Sequence, residues 1–219
     1  MVIILRIIYI SWEKVIELCY KLANKIANSG YEPDAIVVVL RGGVLPALIL
    51  SDYLGVEEFY AIRAKHWGIG DEVYKEPAIL WVGGDLSNKR LLIVDEVVDT
   101  GKTLKRIVDE IKNRYRPIEI KTAVLHVKPT TTYLPDFYAE KINEWTWIFY
   151  PWSLIETLYT LSIKDTESSN PQEILNKVFT LTKELGIKVK DISLLENGIK
   201  NYLKKYLHKE KRSISRYKT

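Results

Sequence analysis

Apolar residues along this chain follow two spacings, and the order in which they alternate predicts its architecture. After Ser11, the residues Val15, Cys19, Leu22 and Ile26 recur at helical spacing, with Ser11 placed to cap the helix and Gly30 to end it. AIVVVL (35–40) is an unbroken apolar run of strand length, the pattern of a strand covered on both faces. A second helix, PALILSDYL, opens at Pro46 and stops before Gly55. EEFYAIRA (57–64) and LLIVDEV (91–97) read as further strands, and TLKRIVDEIKNRY (103–115) as a helix. IKTAVLHV (120–127) is a strand ended by Lys128-Pro129. Strands alternating with helices predict an α/β domain, a parallel sheet with helices on its faces. Residues 65–78 hold two glycines, a proline and mixed charge without a period, and predict a mobile loop.

After Pro151 the pattern changes. WSLIETLYTLSI, PQEILNKVFTLTKEL and ISLLENGIKNYLKKYL are three helical patterns with no strand between them. Asn170 and Pro171 start the second, Gly186 ends it, and Asp191 starts the third. Short links between amphipathic helices predict a three-helix bundle. The predicted division is therefore 1–150 for the α/β domain and 151–219 for the bundle with its tail.

Composition narrows the class. With 219 residues, 47% hydrophobic and 27% charged, the chain has the make-up of a soluble globular protein. The apolar start, MVIILRIIYI, is too short to span a bilayer, is interrupted by Arg6 and has no cleavage site after it. It predicts an extended segment leading into the first helix of a cytoplasmic protein with no membrane partner. The single cysteine, Cys19, rules out an internal disulfide and fits a reducing cytosol. Scarce Gln, Met and Cys beside abundant Lys and Glu suggest heat adaptation. The net charge of +4 is uneven: residues 200–219 hold eight Lys/Arg and one Glu, so the tail carries +7 and the rest −3. A solvated helix end accounts for such a tail more readily than nucleic-acid contact, and a nucleic-acid partner is disfavoured.

The chemistry concentrates in VDEVVDTGKT (94–103). It ends like an ATP-binding phosphate loop, but that loop needs a second glycine where Glu96 stands. The strand runs into a turn and then a helix, so Thr100–Thr103 backbone N–H groups open a helix N-terminus suited to a phosphate, with Lys102 adding charge. Asp95 and Glu96 are costly side by side unless they meet cations or hydroxyls, and a ribose diol with Mg²⁺ nearby would satisfy them. Earlier, Arg41-Gly42-Gly43 follows a buried strand. Two glycines permit a backbone nest for an anion, and Arg41 adds a bidentate contact, although such a turn is as often only a tight turn.

LLIVDEVVDTGKT (91–103) resembles the signature of the type I phosphoribosyltransferases, which take 5-phosphoribosyl 1-pyrophosphate (PRPP) and join its ribose to a nitrogenous base. The resemblance implies that Asp95 and Glu96 hold the ribose hydroxyls, with Mg²⁺ as cofactor. It implies that Asp99, Thr100, Gly101, Lys102 and Thr103 cradle the 5′-phosphate, and that Asp99 manages the proton at purine N7. Arg41, Gly42 and Gly43 resemble the pyrophosphate loop, with a cis peptide expected at Leu40–Arg41. Residues 63–78 stand at the family's flexible loop, where Arg63, Lys65 and His66 are candidates to reach pyrophosphate. WVGGDLSNKR (81–90) resembles the stretch before the PRPP strand in archaeal purine phosphoribosyltransferases, with a turn at Asp85-Leu86.

WTWIFYPW (145–152) resembles the nucleobase hood of 6-oxopurine phosphoribosyltransferases, and the hood is expected at about 128–152. Trp147 would stack on the purine, the Ile148 backbone would meet its edge, and Lys128 would donate to an acceptor at C6. Those residues point to hypoxanthine, guanine or xanthine. The chain as a whole, a 6-oxopurine-like core with a helical extension, resembles archaeal adenine phosphoribosyltransferases instead. That favours adenine, which would carry a donor amino group at C6 towards Lys128. A homodimer is the implied assembly. A PRPP-sensing regulator on the same fold is a lesser alternative, and the helical third is either an interaction module or a lid.

Overall fold

The computed structural model describes residues 6–65, 77–166 and 170–216, with the side chains of Lys65, Asp165 and residues 207–216 left out. His66 and all but the ends of the expected 65–78 loop lie outside the described residues. The chain divides into two compact units, one of residues 1–6 and 10–147, the other of residues 7–9 and 148–219.

The first unit is built on strands β2 (Ala35–Leu40), β3 (Glu58–Lys65), β4 (Ala78–Val82), β5 (Arg90–Val98), β6 (Glu119–Val127) and β7 (Phe137–Lys141). They form one sheet in the order β4-β3-β2-β5-β6-β7. β2 pairs in parallel with β3 and β5, β5 with β6, and β6 with β7; only β4 runs antiparallel, at the edge on β3. The continuous apolar runs occupy the middle, where Ile36, Val37, Leu92 and Ile93 are wholly buried.

Alternation along each strand splits the core in two. Val37, Val39, Leu91 and Ile93 join Leu104, Ile107, Val108 and Ile111 of helix α3 (Lys102–Tyr115) in one cluster. Helices α1 (Trp12–Ala27) and α2 (Val44–Leu54) pack on each other, α2 against β2 and β5, α1 against β6 and β7. Ser11 caps α1 as its position implied, its hydroxyl accepting from the Lys14 amide at 3.3 Å. α2 starts at Val44, two residues before Pro46, with Gly43 at its N-cap position. Cys19 is buried on the inner face of α1, and burial pushes its thiol up to about 12.

Arg116, at φ 49°, closes α3 in a left-handed cap, its N–H donating to Lys112 O. The turn at Asp85 is also present: its carboxylate accepts from the Ser87 amide at 3.0 Å, and Leu86 is buried beneath.

In the second unit, strand β1 (Ile7–Tyr9) pairs with β8 (Trp147–Phe149), whose first residue belongs to the first unit. The Tyr9 and Phe149 rings meet at 5.2 Å between centroids. A 3₁₀ turn at Pro151–Ser153 takes up the start of WSLIETLYTLSI, and helix α4 follows at Leu154–Thr166. α4 packs against α5 (Pro171–Glu184) and α6 (Ile192–Arg216), and α5 touches α6. Asn170 caps α5 by accepting from the Gln172 amide at 2.9 Å, with Pro171 in the first turn. Asp191 accepts from the Ser193 amide at 2.9 Å at the start of α6. Tyr159 of α4 with Tyr202 and Tyr206 of α6 forms a ring cluster in this unit. Among the described residues no helix is long and apolar enough to cross a membrane.

Candidate functional site

Three turns meet at the carboxyl ends of β2, β5 and β6, where an open parallel sheet offers a crevice. The first follows β2. Its Leu40–Arg41 peptide is cis, as the resemblance implied. Arg41 is exposed, and Gly42 and Gly43 turn the chain into α2. A Cβ on Gly42 would overlap the carboxyl group of Glu96. A Cβ on Gly43 would press into the carbonyl oxygens of Val94 and Val39. The two glycines are therefore what lets this turn lie on β5, and they bring the anion-nest candidate against the acid pair. Arg63 stands beside Leu40 in the β2–β3 register, exposed. Lys65 ends β3.

The second turn follows β5. Asp95 and Glu96 lie within the strand's last residues, and both are half-buried. The Glu96 amide donates to Asp95 Oδ1 at 2.9 Å. Burial, and then the neighbouring Glu96 charge, hold the Asp95 carboxyl well above the usual carboxylate range. A positive or hydrogen-bond-donating partner would relieve that strain. Asp99 and Thr100 lead into Gly101, which caps α3 at φ 84°. A Cβ there would come within 2.7 Å of Tyr133 Cβ, so only glycine lets the two turns approach so closely. Lys102 and Thr103 form the first turn of α3, Lys102 exposed and Thr103 half-buried, and the Lys102 amide reaches Thr100 Oγ1 at 3.5 Å. The amides here open a helix with no acid in its first turn, the arrangement that favours an anion.

The third turn, after β6, lies along the second residue by residue. The Lys128 amide donates to Val98 O at 2.9 Å, and the Thr132 amide to Thr100 O at 3.0 Å. Lys128 is 8% exposed, its Nζ 2.9 Å from Asp99 Oδ2 and 4.7 Å from the centre of the Trp145 ring. Thr130 donates its hydroxyl to Asp99 Oδ1 at 2.6 Å. The Asp99 carboxylate is thus gripped on both oxygens. Thr130 and Trp145 were not singled out from the sequence; the hydroxyl run Thr130–Thr132 just after Lys128-Pro129 was the available signal. Trp147 and Ile148 fall in β8, half-buried and buried, and the Trp147 amide donates to Arg6 O at 2.8 Å.

A profile of the phosphoribosyl transferase domain matches residues 9–155. The chain belongs to that family, and its sheet and helices have the type I phosphoribosyltransferase fold, the fold of a pentosyltransferase enzyme. A purine phosphoribosyltransferase from Pyrococcus horikoshii is 39% identical, with a TM-score of 0.57, over 66% of this chain and 92% of its own. A xanthine-guanine phosphoribosyltransferase of Cereibacter sphaeroides is 29% identical over 155 residues, 67% of this chain and 86% of its own length. A xanthine-guanine-hypoxanthine phosphoribosyltransferase from Helicobacter pylori shares the fold at 22% identity and a TM-score of 0.57, covering 73% of this chain and 96% of its own.

The family works with Mg²⁺. Among the described residues no cluster of three or more His, Cys, Asp or Glu stands ready to hold a metal. Asp95 and Glu96 still fit one, because they are two hard oxygen donors whose mutual repulsion a cation relieves. Such an ion would take its remaining ligands from substrate oxygens and water.

Proposed function

We propose that this chain transfers the 5-phosphoribosyl group of PRPP to a purine, giving a nucleoside 5′-monophosphate and pyrophosphate. The observation that carries the reading is the contact of the Arg41–Gly43 turn with the Asp95–Glu96 pair, one strand away from the α3 N-terminus. A molecule with a pyrophosphate, a ribose diol and a 5′-phosphate needs those partners side by side. Asp95 and Glu96 accept from the ribose hydroxyls. Asp99, Thr100, Gly101, Lys102 and Thr103 take the 5′-phosphate. Arg41, Gly42 and Gly43 take the pyrophosphate, with Arg63 and Lys65 of β3 as further candidates for it. Asp95 and Glu96 are also the residues that would hold Mg²⁺, which supplies charge neutralisation to the leaving pyrophosphate.

In the reaction the bond from ribose C1′ to the pyrophosphate oxygen breaks, and pyrophosphate leaves with the electron pair. Purine N9 bonds to C1′ through an oxocarbenium-like state. The proton that the base must lose passes to Asp99. Trp147 and the Ile148 backbone are assigned to the base, with residues 1–150 as the catalytic domain and 151–219 as its helical extension. A homodimer is the proposed assembly.

Adenine, giving AMP, is the acceptor we place first. A lysine aimed at C6 would meet adenine's amino group donor to donor. Here the Lys128 ammonium is taken up by Asp99 and by the Trp145 ring, which supports a base that does not need it. The helical extension points the same way. The second reading is a 6-oxopurine. It is favoured by the Cereibacter relative's name and by the ease with which Lys128, released from Asp99, would donate to a C6 oxygen.

Turnover of adenine, hypoxanthine, guanine and xanthine with PRPP and Mg²⁺ tests both. Highest kcat/KM with adenine is expected. Highest kcat/KM with an oxopurine installs the second reading, and no turnover with any purine overturns the transferase reading.

A further inference from the structure

We infer that Thr130 is a positioning residue for the reaction: its hydroxyl fixes the Asp99 carboxylate in the orientation that receives the purine's proton. The inference rests on Asp99 having that role.

The geometry is specific. Asp99 sits on a turn between a strand and a helix, and among the described residues none of its own segment hydrogen-bonds its carboxylate. Two outside groups do so. Lys128 holds Oδ2 at 2.9 Å, and Thr130 holds Oδ1 at 2.6 Å. The Thr130 oxygen is also 3.4 Å from the Asp99 carbonyl. A hydroxyl has one proton, and the shorter contact to the charged oxygen takes it.

The rest of the turn holds Thr130 in place. The Lys128 amide on Val98 O and the Thr132 amide and hydroxyl on Thr100 O pin its neighbours on either side of Asp99. The two holders are not equivalent. Lys128 is a cation on a flexible four-carbon stem, and Oδ2 keeps a second lone pair beside it for the proton. Thr130 is short, β-branched and stiff about its one torsion, so it keeps Oδ1 fixed while Oδ2 works. A proton acceptor must stay within hydrogen-bond reach of its donor, and a carboxylate held on one oxygen does that while remaining an acceptor on the other.

The test compares Thr130→Val, which keeps the shape and removes the hydroxyl, with Thr130→Ser, which keeps the hydroxyl. Thr130 is exposed, so neither change opens a cavity. Thr130→Val is expected to lower kcat about tenfold with the KM for PRPP unchanged, the size of one lost hydrogen bond to a charged group. Thr130→Ser is expected to restore most of the loss. In an Asp99→Asn background Thr130→Val is expected to cost nothing further, since it acts through Asp99.

Unchanged kcat in Thr130→Val, or an equal loss in both backgrounds, overturns the inference. If Asp99→Asn itself leaves turnover intact, the role of Asp99 is what fails, and the single variants separate that case from failure of the inference.

Discussion

Gly42 and Gly43 are neighbours that meet different kinds of atom, so one methyl group placed on each should cost different things. On Gly43 the new Cβ presses into two carbonyl oxygens, Val94 O and, at 2.8 Å, Val39 O, and comes within 3.1 Å of Asp95 Cα. Those atoms are backbone of β2 and β5, held in place by the sheet at the buried residues Val39 and Val94, and cannot turn aside. The φ of Gly43 is −68°, which alanine adopts freely, so no torsional penalty confuses the result. Overpacking of this kind costs about 1–3 kcal/mol, and at about 2–4 °C per kcal/mol for a chain of this size Gly43→Ala should lower Tm by about 2–12 °C.

On Gly42 the atoms nearest the Cβ are the carboxyl group of Glu96, the far end of a flexible side chain. Gly42→Ala should therefore shift Tm by less than about 3 °C, as for a substitution without a buried clash. It should weaken PRPP binding about 10–100-fold, because a displaced Glu96 loses a charge-assisted bond to the ribose worth about 1.5–3 kcal/mol. Thermal melts and calorimetric titration with PRPP and Mg²⁺ read both variants. A Gly43→Ala protein that melts with the wild type refutes the close approach of the turn to β5. A Gly42→Ala protein that binds PRPP normally refutes the dependence of PRPP on where Glu96 sits.

Asp99→Asn should lower kcat by about 10²–10⁴-fold, the range for a general acid–base group, while PRPP affinity by titration stays within about threefold. Chelation of divalent metal with EDTA should abolish turnover, and added Mg²⁺ should restore it; full activity in EDTA refutes the cation at Asp95 and Glu96. Burial drives His126 down to about 4 from its ordinary 6.5. Over that window the unfolded chain takes up a proton that the folded chain refuses, so stability is full above about 6.5 and falls as pH drops, by about 2 kcal/mol from pH 7 to 5. Glu140 of β7, with Lys14 and Lys21 of α1 beside it, is held low and adds its own loss only below the usual carboxylate range. Urea melts of His126→Asn between pH 7 and 5 should show most of that slope gone; an undiminished slope assigns it elsewhere.

What could be read in the sequence followed burial. β2 and β5 announce themselves because both faces are covered, so every position must be apolar, and the acids Asp95 and Glu96 stand out where that run breaks. The strands β4 and β7 are short edges. AILWV exposes Leu80 and Trp81, and FYAEK buries only Ala139, which leaves too little contrast for a period to show. β1 and β8, three residues each, give still less. The same logic runs through the site. Asp99 was legible because its spacing from Asp95 and Gly101 is local. Thr130 was not, because its bond to Asp99 spans 31 residues and depends on how the turn after β6 lies on the turn after β5. Trp145 and Trp147 are two apart, and only the path of the chain decides which ring reaches Lys128. A motif therefore names the atoms that touch substrate, while the atoms that hold those in place come from elsewhere in the chain. That is why a test of Thr130 bears on how the Asp99 carboxylate is held more directly than any further variant within residues 94–103.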